Sequence, residues 1–243
     1  MTRLFASDLH LDPARPDITA QFLGFLGGPA READALYLLG DLFEAWLGDD
    51  APGALGETLI EALASLSAKG VGLFVMQGNR DFLLGQEFCR RAGGCLLADP
   101  TLVAIGPERV LLTHGDALCT GDASYQRLRS LVRDPEVQRA FLALPVDRRH
   151  ALAVEARAGS RAHLAGADEY ITDVSQEAVE QVMRQAGVYL LLHGHTHRPA
   201  IHRFRMDGRE CTRIVLGDWH RQGSVLRWDD DGYELVEMPR IER

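Results

Sequence analysis

Leu36-Tyr37-Leu38-Leu39-Gly40-Asp41 is a short apolar run closed by a glycine and one carboxylate. The run predicts a buried strand that stops at a Gly-Asp turn. A core has no use for a carboxylate at that point. Asp41 is therefore expected at the strand's C-terminal mouth, where open α/β sheets keep their sites. The same pattern recurs along the chain. Residues 3–7 predict a strand ending at Asp8-Leu9-His10, and residues 71–76 one ending at Gly78-Asn79-Arg80-Asp81. Residues 110–113 lead into His114-Gly115-Asp116, and residues 188–192 into His193-Gly194-His195-Thr196-His197.

Helical spacing fills the gaps. Asp17 is expected to cap a helix with Ile18, Phe22, Phe25 and Leu26 on one face, and a second helix runs through Leu59, Leu63 and Leu66. Asp81 is expected to cap a helix carrying Phe82, Leu84 and Phe88, and Ser175 one carrying Val179, Val182 and Met183. Further strands are expected over residues 102–105, 200–205, 212–216, 224–228 and 233–236. The fold class is thus α/β, a single domain over residues 1–243.

One stretch breaks the pattern. From about residue 119 to 165 no strand is expected. Tyr125, Leu128 and Val132 share one helical face, Val137, Phe141 and Leu144 another, and Pro135 and Pro145 stand where helices start. This reads as a helical cap inserted in the domain. It carries eight arginines against five acids, a net +3 within a chain of net charge −9. The acidic total argues against a nucleic-acid partner. It leaves an anionic substrate open, because bound cations would dominate the local field. The four cysteines show no metal-binding spacing and are expected as free thiols. No apolar run nears the ~20 residues of a membrane span, and residues 1–8 lack a signal peptide's apolar core, so a soluble protein is expected.

Five motifs ending five strands point to a metal site. In an extended chain residues i and i+2 face the same way, so Asp8 with His10, and His195 with His197, are expected to line one cavity. Glycines beside the ligands allow close backbone approach. Carboxylate, imidazole and amide donors suit Mn²⁺, Fe²⁺ or Zn²⁺.

In this order the motifs resemble the calcineurin-like metallophosphoesterases. The resemblance implies a two-sheet sandwich flanked by helices and a pair of metal ions. Asp8, His10, Asp41 and His197 would hold one, and Asp41, Asn79, His114 and His195 the other. Many members have Asn-His-Asp where this chain has Asn79-Arg80-Asp81. Arginine is no general acid at neutral pH but binds phosphate well. The expected leaving group is therefore a phosphate, which needs no proton, and the expected substrate a phosphoanhydride.

Residues 38–46, 78–84, 114–116, 193–199 and 216–219 further resemble the family of UDP-2,3-diacylglucosamine pyrophosphohydrolases of lipid A biosynthesis. That resemblance implies two Mn²⁺ ions and attack of metal-held hydroxide on the α-phosphorus, giving UMP and 2,3-diacylglucosamine 1-phosphate. It implies peripheral work at the cytoplasmic face of the inner membrane. Asp41, Asn79, Arg80 and His195 would be catalytic. Asn79, Arg80, Asp122, Tyr125, Phe141, Arg157, Ser160 and His195 would contact the substrate. Polar Asn and Lys contacts of that family fall here on Leu164 and Ala167, with Arg161 or His163 as replacements. Packing on the core is the other reading of Tyr125, Leu128 and Phe141. Arg127, Arg129 and Arg133 are expected to be solvated or near headgroups, and His150, His202 and His220 to lie on the surface. His193 is expected to orient a ligand, and Trp46 is either structural or part of the site. Two other readings stand beside this one: a soluble nucleotide pyrophosphatase or phosphodiesterase, and a metal-free interaction scaffold such as a retromer subunit. The scaffold predicts gaps in the ligand set, and all seven positions hold competent residues.

Overall fold

The computed structural model describes residues 1–164, 173–220 and 223–238, without the side chains of residues 160–164. Ser160, Arg161, His163, Leu164 and Ala167 therefore lie outside the side chains described.

Strand β2 (Ala35–Leu39) is buried at every position. Leu36 and Leu38 pack into one core, and Ala35, Tyr37 and Leu39 into another. Burial of both faces explains why the run is continuously apolar rather than alternating. β2 pairs in parallel with β1 (Arg3–Ala6) on one side and β3 (Gly72–Met76) on the other. A short β4 (Cys95–Leu97), which hydropathy patterning missed, extends that edge. At the far side β10 (Gly223–Asp229) and β11 (Gly232–Met238) complete a sheet of order β11-β10-β1-β2-β3-β4. A second sheet, of β5 (Thr101–Ile105), β6 (Glu108–Thr113), β7 (Leu190–His193), β8 (Ala200–Met206) and β9 (Arg209–Val215), has the order β5-β6-β7-β9-β8.

The sheets face each other across Phe5, Tyr37, Leu39, Leu112, Leu192 and Ile214. Phe5, Tyr37 and Phe74 stack in a row, with centroids 4.7 and 4.6 Å apart. Helices α1 (Pro16–Gly27), α2 (Gly53–Ser67) and α3 (Gln86–Ala92) cover the outer face of the first sheet through Phe22, Leu63 and Phe88. Helix α7 (Gln176–Ala186) covers the second through Val179 and Met183. This is a two-sheet α/β sandwich flanked by helices, as the resemblance implies.

Helices α4 (Ala123–Val132), α5 (Pro135–Leu142) and α6 (Val146–Leu164) follow one another over the strand ends, and Pro135 opens α5. Two expected caps differ. Asp17 sits in the first turn of α1 and pairs with Arg15. Asp81 does not open a helix, because α3 starts later, at Gln86. The carboxylate that caps α3 is Asp49, which accepts the N–H groups of Gly85 and Phe88. Asp49 lies 36 residues upstream of Gly85, so no local pattern marks it as a cap.

Candidate metal centre

The loops beyond the C-terminal ends of β1, β2, β3, β6 and β7 bring all seven expected ligands together. Asp8 N–H donates to the Gly40 carbonyl and His10 N–H to the Asp41 carbonyl, which zips the first two loops. Gly194 N–H donates to the His114 carbonyl, joining the last two. The physical reason offered by the sequence needs correction. Asp8, His10, Asp41, His195 and His197 all have positive φ, between 47° and 68°, so the ligand pairs are not extended. Asp207 alone shares that backbone region among the described non-glycine residues. Left-handed residues concentrated at one spot store backbone strain where a site needs it. Two glycines make room: a Cβ at Gly78 would collide with the Asp41 carboxylate, and one at Gly194 with Ser7 and Asp8.

Asp8 clusters with His10 and His197, and also with Asp41 and His114, and Asp41 faces a histidine on either side. Asp41 Oδ2 lies 3.7 Å from His10 Nε2, and Asp41 Oδ1 lies 3.7 Å from His114 Nε2. Around the first oxygen, His197 Nε2 is 3.1 Å from His10 Nε2 and 3.3 Å from Asp8 Oδ1. Around the second, Asn79 Oδ1 is 2.9 Å from both His114 Nε2 and His195 Nδ1. Asp8 Oδ2 accepts from Ser7 Oγ–H and from the His195 N–H. Asp8 Oδ1, equally buried, has no hydrogen-bond donor. An orphaned buried carboxylate oxygen beside two converging imidazole nitrogens is the arrangement a cation satisfies. The residues fit a divalent metal.

The electrostatics agree. Burial opposes a charge on His114, yet Asp41 and Asp8 lift its pKa to about 9. His197, similarly buried, is raised to about 10 by Asp218 and Asp8. Burial and the His114 charge push His195 down to about 4. Asp8 stays ionised despite burial because His197, His114 and His10 surround it. Burial and the Asp41 charge raise Asp81 to about 6.

Beside the centre, α4–α6 and the core enclose a cavity of about 360 Å³. Asn79, Arg80, Asp116, Arg129, Arg133 and Arg157 line its polar end, and Trp46, Phe82, Leu128, Val137 and Phe141 line its apolar walls. Tyr125 lines it too, donating its hydroxyl to Asp116 Oδ2 at 2.7 Å. Arg157 donates to the Arg80 carbonyl at 3.1 Å.

Several expectations change here. Arg129 and Arg133 are not solvated. Arg129 Nε donates to buried Asp116 at 2.9 Å, and Arg133 donates to the Gly78 carbonyl at 3.1 Å. Arg127 alone of the three is exposed, beside Ser124. Asp122 accepts the Tyr125 N–H as the α4 cap and is not part of the cavity lining. His220 is half-buried and stacks on His10 with centroids 5.5 Å apart, whereas His150 and His202 are exposed. His193 hydrogen-bonds through Nδ1 to the Gly194 carbonyl and contacts Arg213, so it orients the loop rather than a ligand ring. Trp46 lines the cavity and also packs on Phe43 and Phe88, its indole N–H donating to Asp49. Glu44 and Asp218, which the motif reading left without roles, lie 3.2 Å from His10 Nδ1 and 3.3 Å from His197 Nδ1. Each lies inside a motif quoted above, but only the fold aims it at a ring nitrogen.

A model of the calcineurin-like phosphoesterase family matches residues 1–199. The chain is 52% identical over 245 residues to a Xanthomonas oryzae pv. oryzae protein named UDP-2,3-diacylglucosamine hydrolase, covering 98% of this chain and 99% of that one. A Stenotrophomonas maltophilia protein of the same name is 50% identical, over 99% of this chain and all (100%) of its own. Among solved structures, a dimetal phosphatase from Danio rerio superposes with a TM-score of 0.53 at 13% identity, covering 100% of this chain and 97% of that one; the likeness is one of fold.

Proposed function

The chain belongs to the calcineurin-like phosphoesterase family and is a hydrolase, and from that premise we propose that it hydrolyses UDP-2,3-diacylglucosamine to UMP and 2,3-diacylglucosamine 1-phosphate, a step of lipid A biosynthesis. The observation that carries the reading is the juxtaposition of a two-cation donor set with a cavity that is arginine-rich at one end and apolar at the other. A substrate with a pyrophosphate and acyl chains matches both ends.

Two Mn²⁺ ions are the proposed cations, held by Asp8, His10, Asp41 and His197, and by Asp41, Asn79, His114 and His195. When bound they supply positive charge for the phosphoryl oxygens and lower the pKa of water. The remaining work falls to the chain. Asn79 is at once a proposed donor and part of the cavity lining, with His195 Nδ1 2.9 Å from its Oδ1. Arg80, whose N–H bonds Asp41 Oδ1 at 2.7 Å, sets its guanidinium at the cavity's polar end. It neutralises a departing phosphate without having to protonate it. Arg157 lines the same end; burial and the Arg80 charge lower its pKa to about 10, so it remains cationic at neutral pH. Tyr125 and Phe141 flank the path of the acyl chains.

Helices α4–α6 are proposed to act as the cap. They expose Leu128, Leu131, Val146, Leu152 and Val154, and together with the arginines of this stretch this supports peripheral contact with the inner face of a bilayer. No helix among the described residues is long and apolar enough to cross a membrane. The test is incubation with UDP-2,3-diacylglucosamine and Mn²⁺ in ¹⁸O-water. Label in UMP supports attack on the α-phosphorus. Label only in the sugar phosphate overturns that site of attack, and absence of UMP overturns the substrate. A nucleotide pyrophosphatase reading predicts equal rates on substrates without acyl chains.

A further inference from the structure

We propose that the two cation sites are unequal, and that Glu44 and Asp218 make them so. The site of Asp8, His10 and His197 takes up a divalent cation more tightly than the site of Asn79, His114 and His195. The inference rests on reading the centre as a two-cation site and is independent of the substrate.

Both histidines of the first site are backed by carboxylates. His10 turns Nε2 toward Asp41 and has Glu44 Oε2 3.2 Å from Nδ1, an ion-pair contact without hydrogen-bond geometry. His197 turns Nε2 toward Asp8 and has Asp218 Oδ2 3.3 Å from Nδ1. A carboxylate at ion-pair distance from Nδ1 favours the tautomer that carries its proton there, which frees the Nε2 lone pair and makes that nitrogen a stronger donor to a metal. The second site is backed differently. His114 Nδ1 meets only the neutral Leu39 carbonyl, at 2.9 Å. His195 turns Nδ1 inward, toward Asn79, and its ring stacks with Tyr125 at a centroid distance of 6.1 Å. Asn79 itself is uncharged. The two buried acids nearby are already engaged, Asp116 by Tyr125 and Arg129, and Asp81 by three backbone N–H groups. The negative charge around the centre is therefore concentrated on the first site.

Glu44 reaches further than Asp218. Its other oxygen lies 3.8 Å from the Arg80 guanidinium and 4.0 Å from that of Arg157. One carboxylate thus positions a ligand ring and two cationic groups of the cavity. Both acids are partly exposed, 32% for Glu44 and 22% for Asp218, so an amide substitution opens no core.

The experiment is an Mn²⁺ titration of the chelator-stripped full chain, read by the electron paramagnetic resonance signal of the free ion. The wild type should bind two ions in two phases, the first tighter by about 10- to 100-fold. Glu44→Gln and Asp218→Asn should each weaken the first phase by about 10-fold and leave the second in place. Glu44→Asp should recover part of the loss. Asn79→Ala should remove the weaker phase, and His10→Ala the tighter. Two equal phases in the wild type overturn the proposal. So do amide variants that bind like the wild type, or loss of the tighter phase in Asn79→Ala. Thermal unfolding of the stripped variants separates misfolding from weakened binding, and Asp218→Asn carries the test alone if Glu44→Gln does not fold. No substrate enters the assay, so failure of the proposed reaction leaves this result standing.

Discussion

Asp81 accepts the backbone N–H of Asp41 at 3.2 Å, and the carboxylate of Asp41 accepts the N–H of the residue before Asp81, Arg80, at 2.7 Å. The loops after β2 and β3 hold each other through this exchange. Asp81 also takes the N–H groups of Gly78 and Leu42, both at 2.7 Å. The clamp maintains Asp41 at φ 54°, a conformation a free loop would leave. Asp81→Ala would leave three buried N–H groups without an acceptor. The expected loss is about 3 kcal/mol or more, read by urea unfolding of the metal-free protein. A change under about 1 kcal/mol would show that something else holds the turn.

Asp41 lies 3.7 Å from a candidate donor on either side, His10 Nε2 and His114 Nε2, and is proposed to serve both ions, whereas Arg80 is proposed to serve neither. Asp41→Ala is expected to abolish turnover and metal loading together. Arg80→Ala removes a charge-assisted phosphate contact, a loss of about 10- to 100-fold, with metal content intact. Comparable residual rates for the two variants would argue against a shared ligand.

His114 and His197 have pKa values raised to about 9 and about 10 in the metal-free protein. At pH 7.5 both rings are protonated, so a cation must displace two protons. Affinity should rise with pH toward 9, by roughly tenfold per proton per pH unit. Calorimetry in buffers of different ionisation enthalpy should count about two protons released. The stability of the metal-free fold follows the opposite course. The raised values contribute fully below the ordinary 6.5 and are lost as pH climbs through 9 to 10. A pH-independent binding constant would overturn this assignment.

Arg149 is 4% exposed and ties the cap helices to the core. It donates to both oxygens of Asp50 and to the carbonyls of Leu47, Leu142 and Leu144. Asp50 is itself largely exposed, so the pair sits at the lower end for a buried ion pair. Arg149→Met is expected to cost about 3 kcal/mol and to raise KM, with Mn²⁺ affinity unchanged. An unaltered KM would mean that the cap holds its place without this arginine.

Phe141 lines the apolar wall, while Tyr125 divides its contacts between the cavity and Asp116. Phe141→Ala should lower kcat/KM for long-chain substrates by about 100-fold and far less for short-chain ones. Tyr125→Phe should show little chain-length dependence, because it removes only the hydroxyl. Equal losses for Phe141→Ala on both substrates would return Phe141 to a packing role.

The strands and their terminal motifs were legible because both faces of β1, β2 and β7 are buried and each run stops at a ligand. The element reading failed where the deciding partner is distant in the chain, as with Asp49 capping α3 from 36 residues away. It failed for β4, three residues long with no clear alternation. Arg129 and Arg133 looked like solvated charges because spacing reports a helix face, not what the face meets.

Strand hydropathy and donor chemistry, which are local properties, together with the family resemblance were enough to name seven candidate ligands, their order and their expected division between two ions. Only the tertiary structure decided which acids stand behind which histidines. It also decided that the pairs meet through left-handed turns rather than extended backbone. Distances between residues nearly 190 positions apart, such as His10 and His197, are set by how two sheets pack, and no local pattern encodes that packing.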